Sequence, residues 1–112
     1  MAIKALAFDL DGTLLVGDDL PGANRDALRR ARDAGMAIII ATARWRQMAR
    51  WVADEIGVQD PCIACSGAQV FDPASSTDAF DVRLPMDFTE ELFALCDRER
   101  CIATVKIGRA HV

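Results

Sequence analysis

The sequence carries little positive charge. Its 112 residues include 13 lysines and arginines against 17 aspartates and glutamates, so the formal net charge is −4 at neutral pH. A basic patch is the electrostatic signature of proteins that bind nucleic acid or an anionic membrane surface. We therefore expect neither partner. A phosphate site in this chain would depend on local hydrogen-bond donors and a metal ion.

Long hydrophobic runs are absent as well. The longest apolar stretch in the middle of the chain, residues 36–43, is far shorter than the roughly 20 residues that a membrane-spanning helix needs. Near the start, Lys4 is followed by Asp9 before an apolar region long enough for a secretory signal accumulates. These absences predict a soluble cytoplasmic protein, and 52% hydrophobic residues are ample for the core of one domain.

Cysteine occurs at four positions, and two of them have the C-x-x-C spacing found in zinc and redox sites. Cys62 and Cys65 flank an Ile-Ala pair in a predicted strand, where residues three apart face opposite sides. A shared metal would need a turn with glycine or polar residues at those positions. We therefore interpret both cysteines as small buried apolar residues.

Two aspartates separated by one residue follow the first apolar run. The run, ALAF at residues 5–8, is too short for a helix and predicts a strand buried on both faces of a parallel sheet. Alternate side chains of an extended chain point the same way, so Asp9 and Asp11 should share the carboxyl end of this strand, where open α/β sheets bind ligands. Two carboxylates this close favour a bound cation, and their oxygens suit magnesium. An aspartate can also attack phosphorus, while a second one transfers protons.

The two aspartates have two other interpretations. The aspartates can be a polar strand end that leads into an Asp-Gly turn. An EF-hand calcium loop would need glycine at its sixth position and glutamate at its twelfth. The chain has Leu14 and Leu20 there, which excludes the calcium loop.

A second candidate anion site follows the next predicted strand, residues 36–41. The strand ends in Thr42-Ala43-Arg44 and a helix follows, predicted from about residue 45 to Gly57. A hydroxyl beside free amides at a helix N-terminus binds anions, although Thr42 would serve equally as an ordinary helix cap. A predicted helix over residues 22–34 joins the two strands, which implies a right-handed parallel crossover.

These two motifs carry a family resemblance. DLDGTL at residues 9–14 resembles the first signature of the haloacid dehalogenase-like (HAD) phosphohydrolases, D-x-D-G-T-[LV], and Thr42-Ala43-Arg44 is similar to the T-G-R of the Cof-like, type IIB subgroup. The resemblance implies an α/β fold with a Rossmann-like parallel sheet. It also implies that Asp9 is the nucleophile and a Mg²⁺ ligand, and that Asp11 is the general acid/base and binds the metal through its backbone carbonyl. The implied contacts to substrate phosphate are Gly12, Thr13, Thr42 and Arg44.

The same resemblance suggests a domain organisation. Residues 1–81 would be the N-terminal part of the HAD core, with 72–81 a loop, and residues 82–105 the beginning of a C2-type α/β cap. That cap would start with a helix capped by Asp87 and Glu90 and continue as a strand over residues 101–105. Residues 106–112, KIGRAHV, are similar to a translated sequencing adapter, so we expect them to be non-native.

The predicted activity is magnesium-dependent hydrolysis of a small phosphorylated metabolite, such as a sugar phosphate, through an aspartyl-phosphate. HAD enzymes also need a lysine and a later acidic signature, G-D-x-x-N-D, and neither is found here. We therefore expect an inactive N-terminal fragment. Two alternatives stay open: a phosphotransferase or phosphohexomutase on the same scaffold, and a non-catalytic phosphate- or metal-binding module.

Overall fold

The computed structural model describes residues 2–105. The segment predicted to be non-native, residues 106–112, lies outside this range. The chain divides into two compact units with the boundary after Asp81. Within residues 2–105, no helix has both the length and the apolar character needed to cross a membrane.

The first unit alternates strands and helices along the chain. Its elements are β1 (Ala5–Phe8), α1 (Gly22–Asp33), β2 (Ala37–Ile40), α2 (Arg46–Ile56), β3 (Cys62–Ala64), a short 3-10 turn (Cys65–Gly67), β4 (Gln69–Phe71) and β5 (Asp78–Asp81). The second unit contains α3 (Met86–Glu99). The α/β class predicted from the sequence is confirmed.

Parallel pairing joins the strands that end at the candidate site. β1 and β2 pair in parallel, from Ala5 opposite Ala37 to Phe8 opposite Ile40. Just beyond β2, the Thr42 N–H donates to the Ile63 carbonyl at 2.9 Å, which links the end of β2 to β3. β3, β4 and β5 continue as an antiparallel sheet. The carboxyl ends of β1 and β2 therefore lie side by side.

The prediction that β1 is buried on both faces is wrong. Ala5 and Ala7 are exposed, while Leu6 and Phe8 are only half-buried. The faces of a parallel strand are covered by helices; in the part of the chain described, α1 packs on β2 and α2 on β3, which leaves the face of β1 that carries Ala5 and Ala7 exposed. The core is formed by other apolar residues, among them Leu10, Leu14, Leu15, Ile38, Ile40, Val52, Ile56 and Phe71.

Helix α2 keeps its predicted length. The spacing of Trp45, Met48, Val52 and Ile56 predicts that these four residues form its inner face. Val52 and Ile56 are fully buried and Met48 is half-buried, whereas Trp45 precedes the helix and is 44% exposed. Gly57 ends the helix with a left-handed backbone, φ +76°, a conformation that costs glycine little.

The arginines of α1 are more than a solvated face. Arg29 donates two hydrogen bonds to the Glu55 carbonyl, at 2.6 and 3.0 Å, and Arg32 donates to the Ile56 carbonyl at 2.6 Å. The last carbonyls of a helix lack partners within the helix and carry partial negative charge. Two cations from α1 therefore cap the carboxyl end of α2 and tie the two helices together.

The predicted loop at residues 72–81 contains a strand. Residues 72–77 form a turn, but β5 pairs with β4, and the Gln69 amide donates to the Asp81 carboxylate at 3.2 Å. The sequence DAFD has no strand propensity that would reveal this. A tertiary contact stabilises it, because Asp78 forms an ion pair with the buried Arg46 of α2.

The second unit departs from its predicted start and end. α3 is capped by Pro85 without a side-chain cap bond, and Asp87 lies inside the first turn, so the Asp87–Glu90 capping box is wrong. The predicted strand at residues 101–105 is wrong too, since those residues show no strand pairing. The spacing of Phe88, Leu92, Leu95 and Cys96 predicts one inner side for this helix, but Phe88 and Leu95 are 48% and 41% exposed. Leu92 is half-buried and Cys96 is buried. The interpretation of this unit as the start of a cap stays a prediction.

Candidate active site

A tight turn directly after β1 presents the two aspartates. Leu10 is fully buried, and its carbonyl accepts the N–H groups of three successive residues: Thr13 at 3.2 Å, Leu14 at 3.0 Å and Leu15 at 2.8 Å. Asp9 and Asp11, on either side of Leu10, are exposed. The alternation that buries Leu10 thus directs both carboxylates outward at the carboxyl end of β1.

Backbone conformation at Gly12 completes this turn. Gly12 has φ +74°, and a Cβ built there would meet no atom within 4 Å. The requirement for glycine is therefore conformational and not a matter of space. Gly12 and Thr13 are exposed beside the aspartates, and the Thr13 N–H is engaged within the turn by the Leu10 carbonyl.

Arg44 makes the densest set of contacts in the site, and it makes them with carboxylates. Its Nε donates to both carboxylate oxygens of Asp11, at 3.0 and 2.9 Å, and its Nη2 donates to Oδ1 at 2.6 Å. Its Nη1 donates to Asp18 at 2.9 Å. The hydrogen bonds that Arg44 donates to Asp11, and then to Asp18, raise the pKa of Arg44, which is therefore a firmly held cation.

Thr42 is buried at the base of the same site. Its side-chain oxygen accepts the N–H of Arg44 at 3.0 Å, and its carbonyl accepts the N–H of Ser66 at 3.2 Å. The carbonyl of Arg44 in turn accepts the N–H of Cys65 at 2.8 Å. The residues that follow β3 thus hold residues 42–44 in place through backbone hydrogen bonds. Thr42 caps this loop and does not cap α2, which begins at Arg46.

The structure brings together residues that the sequence suggested separately. Arg44 joins the loop after β2 to Asp11 after β1, and Thr42 lies two residues before it. Sequence reasoning missed Asp18, which belongs to the polar loop between β1 and α1. Its only local signal was an acidic side chain in a loop that follows the D-x-D motif. Ser66 stands where the Cof-like subgroup often has the asparagine of an N-G-A motif, which makes it a further candidate by resemblance; its backbone N–H donates to the Thr42 carbonyl, and its φ is +55°.

The carboxylates of this site can be compared with the ligands that Mg²⁺ requires. Mg²⁺ in proteins usually takes one or two carboxylates and leaves its other positions to water and substrate phosphate. Among residues 2–105 no group of three or more His, Cys, Asp or Glu side chains is placed to hold a metal. The Asp11 carboxylate is engaged by Arg44, so Asp9 is the available charged ligand. These residues fit a Mg²⁺ ion held mainly by phosphate and water.

A comparison with known protein families shows to which family the chain belongs. The model of the haloacid dehalogenase-like hydrolases matches residues 6–109, which is most of the chain. The chain belongs to the haloacid dehalogenase-like hydrolase family. The resemblance based on the D-x-D-G-T and Thr42 motifs is thereby confirmed.

Several curated relatives of this chain are named as phosphatases. The chain is 31% identical over 106 residues to a glucosyl-3-phosphoglycerate/mannosyl-3-phosphoglycerate phosphatase of Persephonella marina, a match that covers 92% of this chain and 34% of the relative. It is 44% identical over 63 residues to a phosphoglycolate phosphatase of Pyrobaculum aerophilum, covering 54% of this chain and 28% of that one. The chain thus spans about a third or less of these relatives.

Solved structures agree with the assignment. A haloacid dehalogenase-like hydrolase from Bacteroides thetaiotaomicron superimposes with a TM-score of 0.80 at 20% identity, over 88% of this chain and 39% of that one. At that identity the match speaks for the fold alone. A HAD subclass IIB sugar phosphatase superimposes with a TM-score of 0.68 at 27% identity, over 86% and 38% of the two chains. The Cof-like, type IIB resemblance is supported by this second match.

Proposed function

We propose that this HAD chain is the nucleophile-bearing part of a magnesium-dependent phosphatase that acts on a small phosphorylated metabolite. The observation that carries the proposal is the arrangement at the end of β1: Asp9 is exposed, while the neighbouring Asp11 is oriented by three hydrogen bonds from Arg44. One carboxylate is available for attack, and the other is positioned to handle protons.

The proposed reaction has two steps. A carboxylate oxygen of Asp9 attacks phosphorus in line, the bond to the leaving oxygen breaks, and Asp11 donates a proton to that oxygen. Asp11 then takes a proton from a water molecule. The oxygen of that water attacks phosphorus, the bond between phosphorus and the Asp9 oxygen breaks, and inorganic phosphate is released. Magnesium, when bound, offsets the negative charge that accumulates between Asp9 and the phosphate.

Phosphate binding is assigned to the groups that surround these aspartates. The amide of Gly12, the exposed side chain of Thr13 and the hydroxyl of Thr42 are proposed to hold the non-bridging oxygens. Arg44 is proposed to contribute through Nη1, because its partner there, Asp18, is 82% exposed and weakly held. A phosphate dianion would replace Asp18 on Nη1, while Nε and Nη2 keep their bonds to Asp11.

The substrate class follows from the relatives. They are named for glucosyl-3-phosphoglycerate, phosphoglycolate and, in Escherichia coli, pyridoxal phosphate. Each of these names describes a small phosphorylated metabolite. We propose the same class for this protein.

The test uses the longest gene product that contains this chain. Its hydrolysis of a panel of small phosphomonoesters is measured with Mg²⁺ and with excess chelator, for the unaltered protein, for Asp9→Asn and for Asp26→Asn. Asp26 is a matched control because it is an exposed aspartate of α1. We expect Asp9→Asn to lower kcat by about a thousandfold or more and Asp26→Asn to leave it unchanged.

Three outcomes would overturn parts of the proposal. Full activity of Asp9→Asn would remove the covalent mechanism. Equal rates in chelator would remove the metal. Transfer of phosphate to a hexose, in place of release as inorganic phosphate, would convert the assignment to a phosphotransferase.

A further inference from the structure

The second unit brings two of the four cysteines together at the carboxyl end of α3. Cys96 lies in the last turn of the helix and is 7% exposed, while Cys101 follows the helix and is exposed. Arg100, between the helix and Cys101, has a left-handed backbone with φ +53°. The Cys101 N–H donates to the Cys96 carbonyl at 3.0 Å. This is the six-to-one hydrogen bond of a Schellman helix ending.

The Schellman ending explains why the two side chains meet. The residues joined by its six-to-one bond normally make an apolar side-chain contact with each other. Here both residues are cysteines with free thiols. A hydrogen bond with the Cys101 thiol, and then burial, raises the pKa of the Cys96 thiol. A disulfide forms without backbone movement only when two cysteines lie close together and face each other. The six-to-one hydrogen bond holds the backbones of Cys96 and Cys101 close together.

We propose that Cys96 and Cys101 form a redox-modification site that reacts with small-molecule disulfides and closes as an intramolecular disulfide across the end of α3. The two thiols have distinct roles. Cys101 is the accessible, attacking thiol, because it is exposed. Cys96 is the buried, resolving thiol.

The reaction balances with one equivalent of a small-molecule disulfide such as oxidised glutathione. The Cys101 thiolate attacks one sulfur of that disulfide, forms a mixed disulfide and releases one thiolate. Cys96 then loses its proton and attacks the Cys101 sulfur, which expels the second small thiolate. The two protein thiols are oxidised by two electrons, and the small disulfide is reduced to two thiols.

The other two cysteines provide an internal comparison, because they are closer in sequence yet arranged differently. Cys62 is fully buried in β3, and Cys65 lies in the following 3-10 turn, where its thiol contacts the Gln69 side-chain oxygen at 3.4 Å. Residues three apart at the end of a strand do not face each other. The loop between Cys62 and Cys65 is the shorter of the two, so separation along the chain does not by itself select Cys96 and Cys101.

The experiment equilibrates the folded chain in glutathione buffers of increasing oxidising strength, quenches with acid, alkylates free thiols and maps the disulfides by mass spectrometry. A parallel sample is treated in denaturant. We expect the folded chain to form the Cys96–Cys101 disulfide while Cys62 and Cys65 remain alkylated, and the denatured chain to lose this selectivity. The same distribution in both samples would overturn the proposal.

Two variants separate the roles of the thiols. Cys96→Ser is expected to accumulate glutathione on Cys101, because the resolving thiol is gone. Cys101→Ser is expected to lose both the disulfide and modification of Cys96. Modification of Cys96 in Cys101→Ser at the wild-type rate would refute the assigned order. The site itself would be refuted if the unaltered folded chain formed no Cys96–Cys101 disulfide in a glutathione buffer that oxidises the denatured chain.

Discussion

The ion pair between Arg46 and Asp78 offers the sharpest test of the packing described above. Both side chains are buried, with 8% and 7% of their surfaces exposed. Arg46 also donates to the Ser76 carbonyl at 2.5 Å and lies 4.5 Å from the centre of the Phe71 ring. One guanidinium therefore holds the 72–77 turn and β5 against α2.

Replacing Arg46 by methionine keeps most of the contact with Phe71 and removes the charge. Breaking a buried ion pair by deleting one partner costs about 3–5 kcal/mol, since the remaining carboxylate loses the cation that offset its desolvation. A domain of this size is stable by only about 5–15 kcal/mol, so the loss is a large fraction of the total. We expect the free energy of unfolding to fall by about 4 kcal/mol.

The assay is urea denaturation followed by tryptophan fluorescence, with the slope of the transition checked for a change in unfolded surface. Arg25→Met is the matched control: Arg25 pairs with Asp26 at 3.3 Å, but both side chains are more than one third exposed. An exposed pair of this kind contributes less than about 1 kcal/mol. Equal effects of Arg46→Met and Arg25→Met would refute the burial argument.

A double variant separates charge burial from packing. In Arg46→Met with Asp78→Leu, no charge remains at the site, so much of the lost stability should return. Additive losses in the double variant would show that shape, and not the buried carboxylate, controls stability here.

Two further predictions concern the end of α2 and β3. A Cβ at Gly57 would collide with Nη1 of Arg32, whereas a Cβ at Gly35 would meet no atom within 4 Å. Gly57→Ala should therefore lower the free energy of unfolding by more than Gly35→Ala, which should lose only the cost of a left-handed backbone, about 1–2 kcal/mol. If the losses of Gly57→Ala and Arg32→Ala simply add in the double variant, the predicted collision is contradicted. Burial raises the pKa of the Cys62 thiol from 9.0 to about 11. The unfolded chain therefore loses this proton at a lower pH than the folded chain, and the free energy of unfolding should fall as the pH rises from 9 towards 11. Its dependence on pH should be weaker in Cys62→Ala. The same dependence on pH in both proteins would contradict the assignment.

Local sequence patterns were enough to locate most elements of the first unit. The apolar runs before Asp9 and Thr42 became β1 and β2, and the two helices end where Gly35 and Gly57 supply positive φ. These features depend on neighbours within a few positions along the chain. A pattern read over a short window contains the information that determines them.

Burial and strand content were harder to predict where they depended on distant partners. β1 has the apolar composition of a central strand, yet its exposure is decided by which helices and strands pack against it. β5 has no strand pattern and forms because β4 and Arg46 are adjacent to it. The predicted strand at 101–105 had the pattern but no partner strand within the described part of its unit.

The candidate site shows the same division. The residues to which we assign the chemistry, Asp9, Asp11 and Thr42, were recognisable from spacing, because strand alternation and the ends of parallel strands follow from covalent geometry. The sequence alone therefore determined the family, the order of the elements from β1 to β4 and the end of the sheet at which these residues lie. Only the tertiary structure decided that Arg44 engages Asp11 and Asp18, 33 and 26 positions away. Long, flexible arginine side chains choose partners by proximity in space, and that proximity exists only once the chain has folded.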